Sequence, residues 1–98
     1  MKRTSKKSLI KAIVTKHAKK SGISLTDVSF YSPKEWDARG ESVGQGSLAS
    51  VTFEGELYDA MNYNEFGSNI AEKIRNDLGE YGLYFEQGYA WSLHVYPI

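Results

Sequence analysis

Side chains that could carry out acid–base or metal chemistry are few in this sequence. It contains two histidines, His17 and His94, and no cysteine, so thiolate nucleophiles, thiolate metal sites and disulfides are excluded. Neither histidine has a second ligand at a spacing typical of a metal site. We therefore expect both to be structural, with His17 continuing the apolar stripe of the first helix as a boundary residue and His94 half-exposed on a strand.

Two other patterns indicate chemistry only weakly. The carboxylate pairs Glu54/Glu56 and Glu35/Asp37 could bind a cation or share a proton, but both fall in hydrophilic segments, where solvated charge is the simpler interpretation. The glycine-rich stretch 40–47 lacks the helix start and the lysine that phosphate-binding loops require. The letters G-x-S-x-G occur at 40–44 inside this stretch, but no helix start follows them as a nucleophile elbow requires. We expect no enzymatic activity, no cofactor and no metal.

Charge is distributed very unevenly along the chain. Residues 1–20 carry eight of the twelve basic residues and no acid. Residues 21–98 carry the other four basic residues and all twelve acids, so their formal charge is 4 − 12 = −8 against +8 for the first part. An asymmetry of this kind points to a charged partner.

The acidic part also carries aromatic side chains that could anchor a partner. Tyr58 and Tyr63 lie among acids, and Trp36 is isolated in a polar stretch, where we predict that it is at least partly exposed. An acidic rim around aromatic anchors favours docking on a basic protein surface, such as that of a nuclease or a defence complex. The predicted partner-binding residues are Trp36, Glu54, Glu56, Tyr58, Asp59, Tyr63 and Glu65.

The alternative is a nucleic-acid-binding module led by the basic segment. Its lysines could neutralise several phosphates. The acidic remainder of the chain would repel the same polymer, and no aromatic residues alternate with the lysines as they do in single-strand platforms. A third interpretation is that the lysines only offset the acidic part of their own chain. The residues of the nucleic-acid alternative are Lys7, Lys11, Lys16, Lys19 and Lys20.

No motif assigns the chain to a family. In general style, a short cysteine-free chain with an acidic, tyrosine-bearing face resembles accessory proteins of phages and mobile elements. Such proteins inhibit a host nuclease or defence complex, as anti-CRISPR proteins do, or neutralise a toxin as immunity proteins do. The analogy implies a small non-enzymatic inhibitor. The identity of the partner and the oligomeric state stay open, a dimer being one alternative.

No apolar run approaches the ~20 residues that span a bilayer. The basic start also lacks the continuous apolar region of a signal peptide. We therefore expect a cytoplasmic protein without membrane contact, in the cytoplasm of the host cell if it is encoded by a phage.

The elements that position these residues are predicted to form one α+β domain over 1–98. It consists of a basic amphipathic helix in 1–22 and an acidic sheet-and-helix body in 23–98. Apolar residues at helical spacing predict a helix over 5–21 and a second helix over 69–78.

Alternating apolar residues predict the strands and their order. Gly55 is expected in a tight turn between two strands, and 32–47 is expected to be a loop. The order α-β-β-β-α-β-β predicts a mostly antiparallel sheet of four to five strands with both helices packed on one face. Trp91, on the apolar face of the last strand, is predicted to belong to the core. The predicted strands cover 26–31, 48–54, 57–63, 83–85 and 89–96.

Overall fold

The computed structural model describes residues 6–64, 67 and 69–98, which form four helices and four strands. All the strands lie in one antiparallel sheet in the order β1-β2-β4-β3. The predicted α+β class and antiparallel sheet are confirmed. The elements are α1 (Lys6–Ser21), β1 (Val28–Tyr31), α2 (Pro33–Asp37), β2 (Ala49–Phe53), α3 (Glu56–Tyr63), α4 (Ile70–Glu80), β3 (Leu83–Glu86) and β4 (Ser92–Pro97).

The order of elements differs from the predicted α-β-β-β-α-β-β in two places, of which one is α3. Residues 57–63, predicted as a strand, form most of this helix. Leu57 and Met61 fit both an alternating and a helical pattern, because their positions differ by four. Ala60 is buried with them and selects the helix, since the three residues then lie on one helical face.

The second difference is α2, which forms inside the segment predicted as a loop. Ser32 caps this helix: Glu35 N donates to Ser32 Oγ at 3.2 Å, and Ser32 N donates to Glu35 Oε1 at 2.8 Å. Pro33 occupies the first helical position, where its missing N–H costs nothing. This reciprocal capping box is a signal that the sequence carries at Ser32 and Glu35.

The main hydrophobic core lies between one face of the sheet and three of the helices. α1, α3 and α4 each contribute a stripe of buried apolar side chains. The strands contribute alternate residues, as their two-residue period requires. The core residues from the central strands β2 and β4 are Ala49, Val51, Phe53, Leu93 and Val95.

The centre of the opposite sheet face is covered by residues 32–48, which we call the cover segment. Ser50 and His94 point to this face because they alternate with the core residues of their strands. Trp36 of α2 packs on His94, with the ring centroids 4.8 Å apart, and its Nε1 donates to Val43 O at 2.8 Å. Helices therefore occupy both faces of the sheet. The two helices predicted from the sequence, α1 and α4, share one face, and the helix on the other face is α2, which lies in the segment predicted as a loop.

Two predicted exposures are wrong because of the cover segment. Trp36, predicted to be at least partly exposed, is 1% exposed. Its polar sequence neighbours lie on the solvent side of a short helix whose one large apolar side chain faces the sheet. His94, predicted to be half-exposed, is also 1% exposed, because Trp36 and the backbone of Gly44 lie against its ring.

Trp91 does not belong to the core as predicted. It lies before β4 and is half-buried. Ser92 N donates to Tyr89 O at 3.1 Å and Tyr89 N donates to Ser92 Oγ at 3.0 Å, so a turn precedes the strand and interrupts the alternation. The Trp91 ring stacks on Tyr89 instead, with centroids 4.4 Å apart and an angle of 17° between the planes.

Candidate functional site

An acidic surface forms on the exposed side of α3. Three residues of this helix, Glu56, Asp59 and Tyr63, follow the i, i+3, i+7 spacing that places side chains on one helical face, opposite the buried residues. Glu54 directly precedes the helix and is also exposed. We define the α3 surface as Glu54, Glu56, Tyr58, Asp59 and Tyr63.

Local contacts fix the start of the α3 surface. Ser24 N donates to Glu56 Oε1 at 2.8 Å. The acids of the first turn also interact favourably with the positive end of the helix dipole. A Cβ on Gly55, the N-cap residue of α3, would lie 2.7 Å from Asp27 Oδ2, so Asp27 sits beside this surface. Sequence reasoning missed Asp27, because it reaches the site only through the pairing of Val28 with Phe53.

The carboxylates of this region have no basic partner in the part of the chain that the structure describes. The ion pairs formed there involve other acids. No three acidic or histidine side chains within the described ranges lie close enough to hold a metal. The arrangement therefore produces a negative surface potential. The unpaired acids are Asp27, Glu54, Glu56 and Asp59.

The two tyrosines of the α3 surface lie next to each other. Tyr63 is 67% exposed, and its ring centroid is 6.2 Å from that of the half-buried Tyr58. The proximity of Tyr63, partial desolvation and the charge of Asp59 raise the pKa of Tyr58. The Tyr58 phenol is therefore neutral at physiological pH, and the pair offers aromatic area among the carboxylates.

One predicted partner-binding residue lies away from the α3 surface, and another has no described position. Trp36 is buried on the opposite face of the sheet, beneath the cover segment. Glu65 lies outside the described residues. The structure thus brings together five of the seven predicted residues, all of them on α3 or directly before it.

The lysines of the nucleic-acid alternative divide into two groups. Lys7 Nζ is 2.8 Å from Glu35 Oε1, and Lys16 Nζ is 2.7 Å from Asp77 Oδ2. Hydrogen bonds from Lys7 and from Ser32 lower the pKa of Glu35 to about 2. The other three lysines are exposed and form no ion pair within residues 6–64, 67 and 69–98: Lys11, Lys19 and Lys20.

A second group of chemically capable side chains lies beneath the cover segment. Ser50 Oγ is 2.8 Å from His94 Nδ1, and Ser92 Oγ is 3.0 Å from His94 Nε2. Burial lowers the pKa of His94. The backbones of Gly44 and Gly88 press against the ring, because a Cβ on either glycine would overlap it. Two glycine backbones, the Trp36 ring and two serine hydroxyls thus enclose the His94 ring.

Comparison with protein-family models, with curated proteins and with solved structures finds no match to this chain. None of the helices formed by the described residues combines the length and the apolarity that crossing a membrane requires. The contacts and charges of the chain itself therefore carry the functional proposal.

Proposed function

We propose that this protein is a small non-enzymatic inhibitor, of the anti-defence type found in phages and mobile elements. It docks the α3 surface on a basic partner that handles nucleic acid, in the host cytoplasm. One observation carries this proposal: exposed carboxylates and two tyrosines share a helix on which no acid has a basic partner among the described residues. A toxin immunity protein would use the same surface on a basic toxin.

Two features of the α3 surface favour docking: the electrostatic field of its carboxylates and the apolar area of its two tyrosines. Carboxylates without an internal partner attract a basic surface over roughly a Debye length and accelerate encounter. Tyrosines contribute apolar area together with a hydroxyl, and they are enriched at the residues that dominate binding energy. A partner channel that attracts phosphates attracts these carboxylates for the same reason, so bound inhibitor and nucleic acid exclude each other.

The test measures nucleic-acid binding by a panel of basic nucleases and RNA-guided defence effectors, with and without this protein. We expect the wild-type chain to displace nucleic acid from at least one of them. The double variant Glu56→Lys/Asp59→Lys should inhibit at least about tenfold less well, since losing buried or central charge pairs costs 2 kcal/mol or more. The matched control Asp37→Lys/Glu80→Lys has the same net charge and alters exposed acids outside the α3 surface.

If this protein displaces nucleic acid from no member of the panel, and itself binds DNA or RNA tightly, the nucleic-acid-binding module is favoured instead. The observation behind that second candidate is the exposure of Lys11, Lys19 and Lys20 without ion pairs in the described structure. Direct binding through these lysines would weaken steeply with rising salt. The variant Lys11→Glu/Lys19→Glu would then abolish it.

A further inference from the structure

One part of the second sheet face lies outside the cover segment. Tyr84 of β3 pairs with Tyr96 of β4, and Glu86 pairs with His94, so their side chains share the face to which His94 points. His94 is buried, whereas Tyr84 is 36% exposed, Tyr96 is half-buried and Glu86 is exposed. The Tyr84 and Tyr96 rings lie 5.7 Å apart at 31°. This region therefore presents two aromatic rings and a carboxylate to solvent.

On the covered part of this sheet face, an arginine side chain already contacts aromatic rings and a carboxylate. The Arg39 guanidinium lies 5.2 Å from the Tyr31 ring centroid and 5.1 Å from that of Trp36. Its Nη2 and Nε donate to Glu41 Oε2 at 2.9 and 3.2 Å, and its Nη1 donates to the Tyr31 hydroxyl at 2.9 Å. Aromatic faces and a carboxylate thus bind one guanidinium within this chain.

Tyr84, Tyr96 and Glu86 repeat this combination of aromatic rings and a carboxylate, but without a lysine or arginine from the described part of the chain. Among the described residues, no lysine or arginine lies over either of these tyrosine rings or pairs with Glu86. Burial, the charge of Glu86 and the neighbouring Tyr84 raise the pKa of Tyr96. Tyr84 and Glu86 lie two residues apart on β3, so the Glu86 carboxylate is a neighbour of the ring pair on the same sheet face.

We propose that Tyr84, Tyr96 and Glu86 form a binding site for an arginine side chain of a basic partner protein. Arginine suits the site better than lysine, because its guanidinium is planar, stacks on aromatic rings and is more weakly hydrated than an ammonium group. The inference takes from the proposed function only the basic partner and rests on other residues.

The end of the β3–β4 hairpin also adjoins the α3 helix. Asn62 Nδ2 donates to Ala90 O at 2.8 Å, and Gln87 Nε2 contacts Asn62 Oδ1 at 3.4 Å. Glu86 directly precedes Gln87. The C-terminal end of α3 and Glu86 of the arginine site therefore both adjoin the end of this hairpin, where one basic partner can contact both.

The experiment compares an oligoarginine peptide with an oligolysine peptide of equal length, by fluorescence anisotropy. We expect the wild-type protein to bind the arginine peptide about two- to fivefold more tightly. Tyr84→Leu should reduce this ratio to about one, and Tyr84→Phe should retain it because the ring remains. Glu86→Gln should weaken binding of both peptides. Tyr81→Leu is the control, since Tyr81 is 59% exposed and lies outside the ring pair.

Equal affinity of the wild-type protein for the two peptides would overturn the proposal, and so would a ratio that survives Tyr84→Leu. If Tyr84→Leu does not fold, the wild-type ring-proton resonances decide: the arginine peptide must shift those of Tyr84 and Tyr96, and unchanged resonances refute the site. The peptide ratio does not depend on inhibition of any effector. A failure of the proposed function is therefore distinguishable from a failure of this inference.

Discussion

His94 is a buried titratable residue beneath the cover segment, and its burial makes the stability of the fold depend on pH. Both ring nitrogens contact serine hydroxyls, and the described structure brings no carboxylate within bonding distance of the ring. Glu86 is the cross-strand neighbour on β3, but it is exposed and does not contribute to the pKa shift. Burial alone lowers the pKa, so the native state favours the neutral imidazole.

The pH dependence of stability follows from this shift. Above the unfolded value of 6.5, the ring is neutral in both states. Below it, the unfolded chain binds a proton that the native chain does not, so the free energy of unfolding decreases until the pH reaches the lowered native pKa. We expect urea midpoints to fall between about pH 7 and pH 5, and His94→Gln to flatten this slope.

A different pH window belongs to the carboxylates. The pKa of Glu35 falls from 4.5 to about 2, and that of Asp77 is lowered from 3.8 by hydrogen bonds from Lys16 and His17. Their contributions are present above these unfolded values and are lost at lower pH. Since the carboxylates act at lower pH, the slope between about pH 7 and pH 5 reports on His94. If His94→Gln leaves that slope unchanged, the burial of a neutral ring is contradicted.

The two tryptophans give a matched pair of substitutions. Trp36 is 1% exposed and donates to Val43 O, whereas Trp91 is half-buried and stacks on Tyr89 at the surface. We expect Trp36→Ala to reduce the free energy of unfolding by about 3–5 kcal/mol and Trp91→Ala by clearly less. Urea denaturation of both variants measures this. A larger loss in Trp91→Ala would contradict the arrangement of the cover segment.

At the scale of elements, the glycines of the cover segment are tested by a second matched pair. Gly44 and Gly46 both have left-handed backbones, with φ of 75° and 78°. Alanine at either position is strained by about 1 kcal/mol. Only at Gly44 would the new Cβ overlap the His94 ring, since nothing lies within 4 Å of the Gly46 position. We expect Gly44→Ala to be the more destabilising by about 1–3 kcal/mol in urea denaturation. Equal losses would mean that the loop does not press on His94.

A segment whose buried residues fit only one spacing, helical or alternating, could be predicted from the sequence. A segment whose buried residues fit both spacings could not. The α1 stripe of Ile10, Ile13 and Val14 admits only a helix, because the spacing of three between Ile10 and Ile13 does not fit an alternating strand. Leu57 and Met61 admit a strand or a helix, and tertiary packing decides between them. The acids of α3 are in any case close in sequence, so most of the α3 surface was predictable. The burial of Trp36 and His94 depends on contacts between distant segments, which no local pattern encodes.

At the scale of the whole molecule, a net charge of zero conceals two oppositely charged regions. Lys7 and Lys16 connect α1 to Glu35 of α2 and Asp77 of α4, so part of the charge difference is offset inside the fold. The remaining α1 lysines and the α3 acids face solvent. One chain therefore presents a cationic surface and an anionic surface at the same time.

Two double variants of equal charge separate these roles. Lys7→Glu/Lys16→Glu places like charges beside Glu35 and Asp77, so we expect a lower melting temperature that salt partly restores. Lys11→Glu/Lys19→Glu removes no ion pair in the described structure and should leave the melting temperature nearly unchanged. Each exposed pair contributes only about 0–1 kcal/mol, so the expected difference is modest. Thermal denaturation at low and high salt is the measurement, and identical curves would refute the distinction.

The cover segment has an evolutionary consequence. β1 and β2 are antiparallel neighbours, and a two-residue turn is enough to join such strands. The chain connects them with residues 32–48, so this length is not a requirement of the topology. Changes in the length or sequence of this segment alter one face of the sheet and leave the packing of α1, α3 and α4 on the other face in place, provided that a large side chain still covers His94 as Trp36 does. The fold thus separates a variable cover from a scaffold, and the α3 surface belongs to the scaffold.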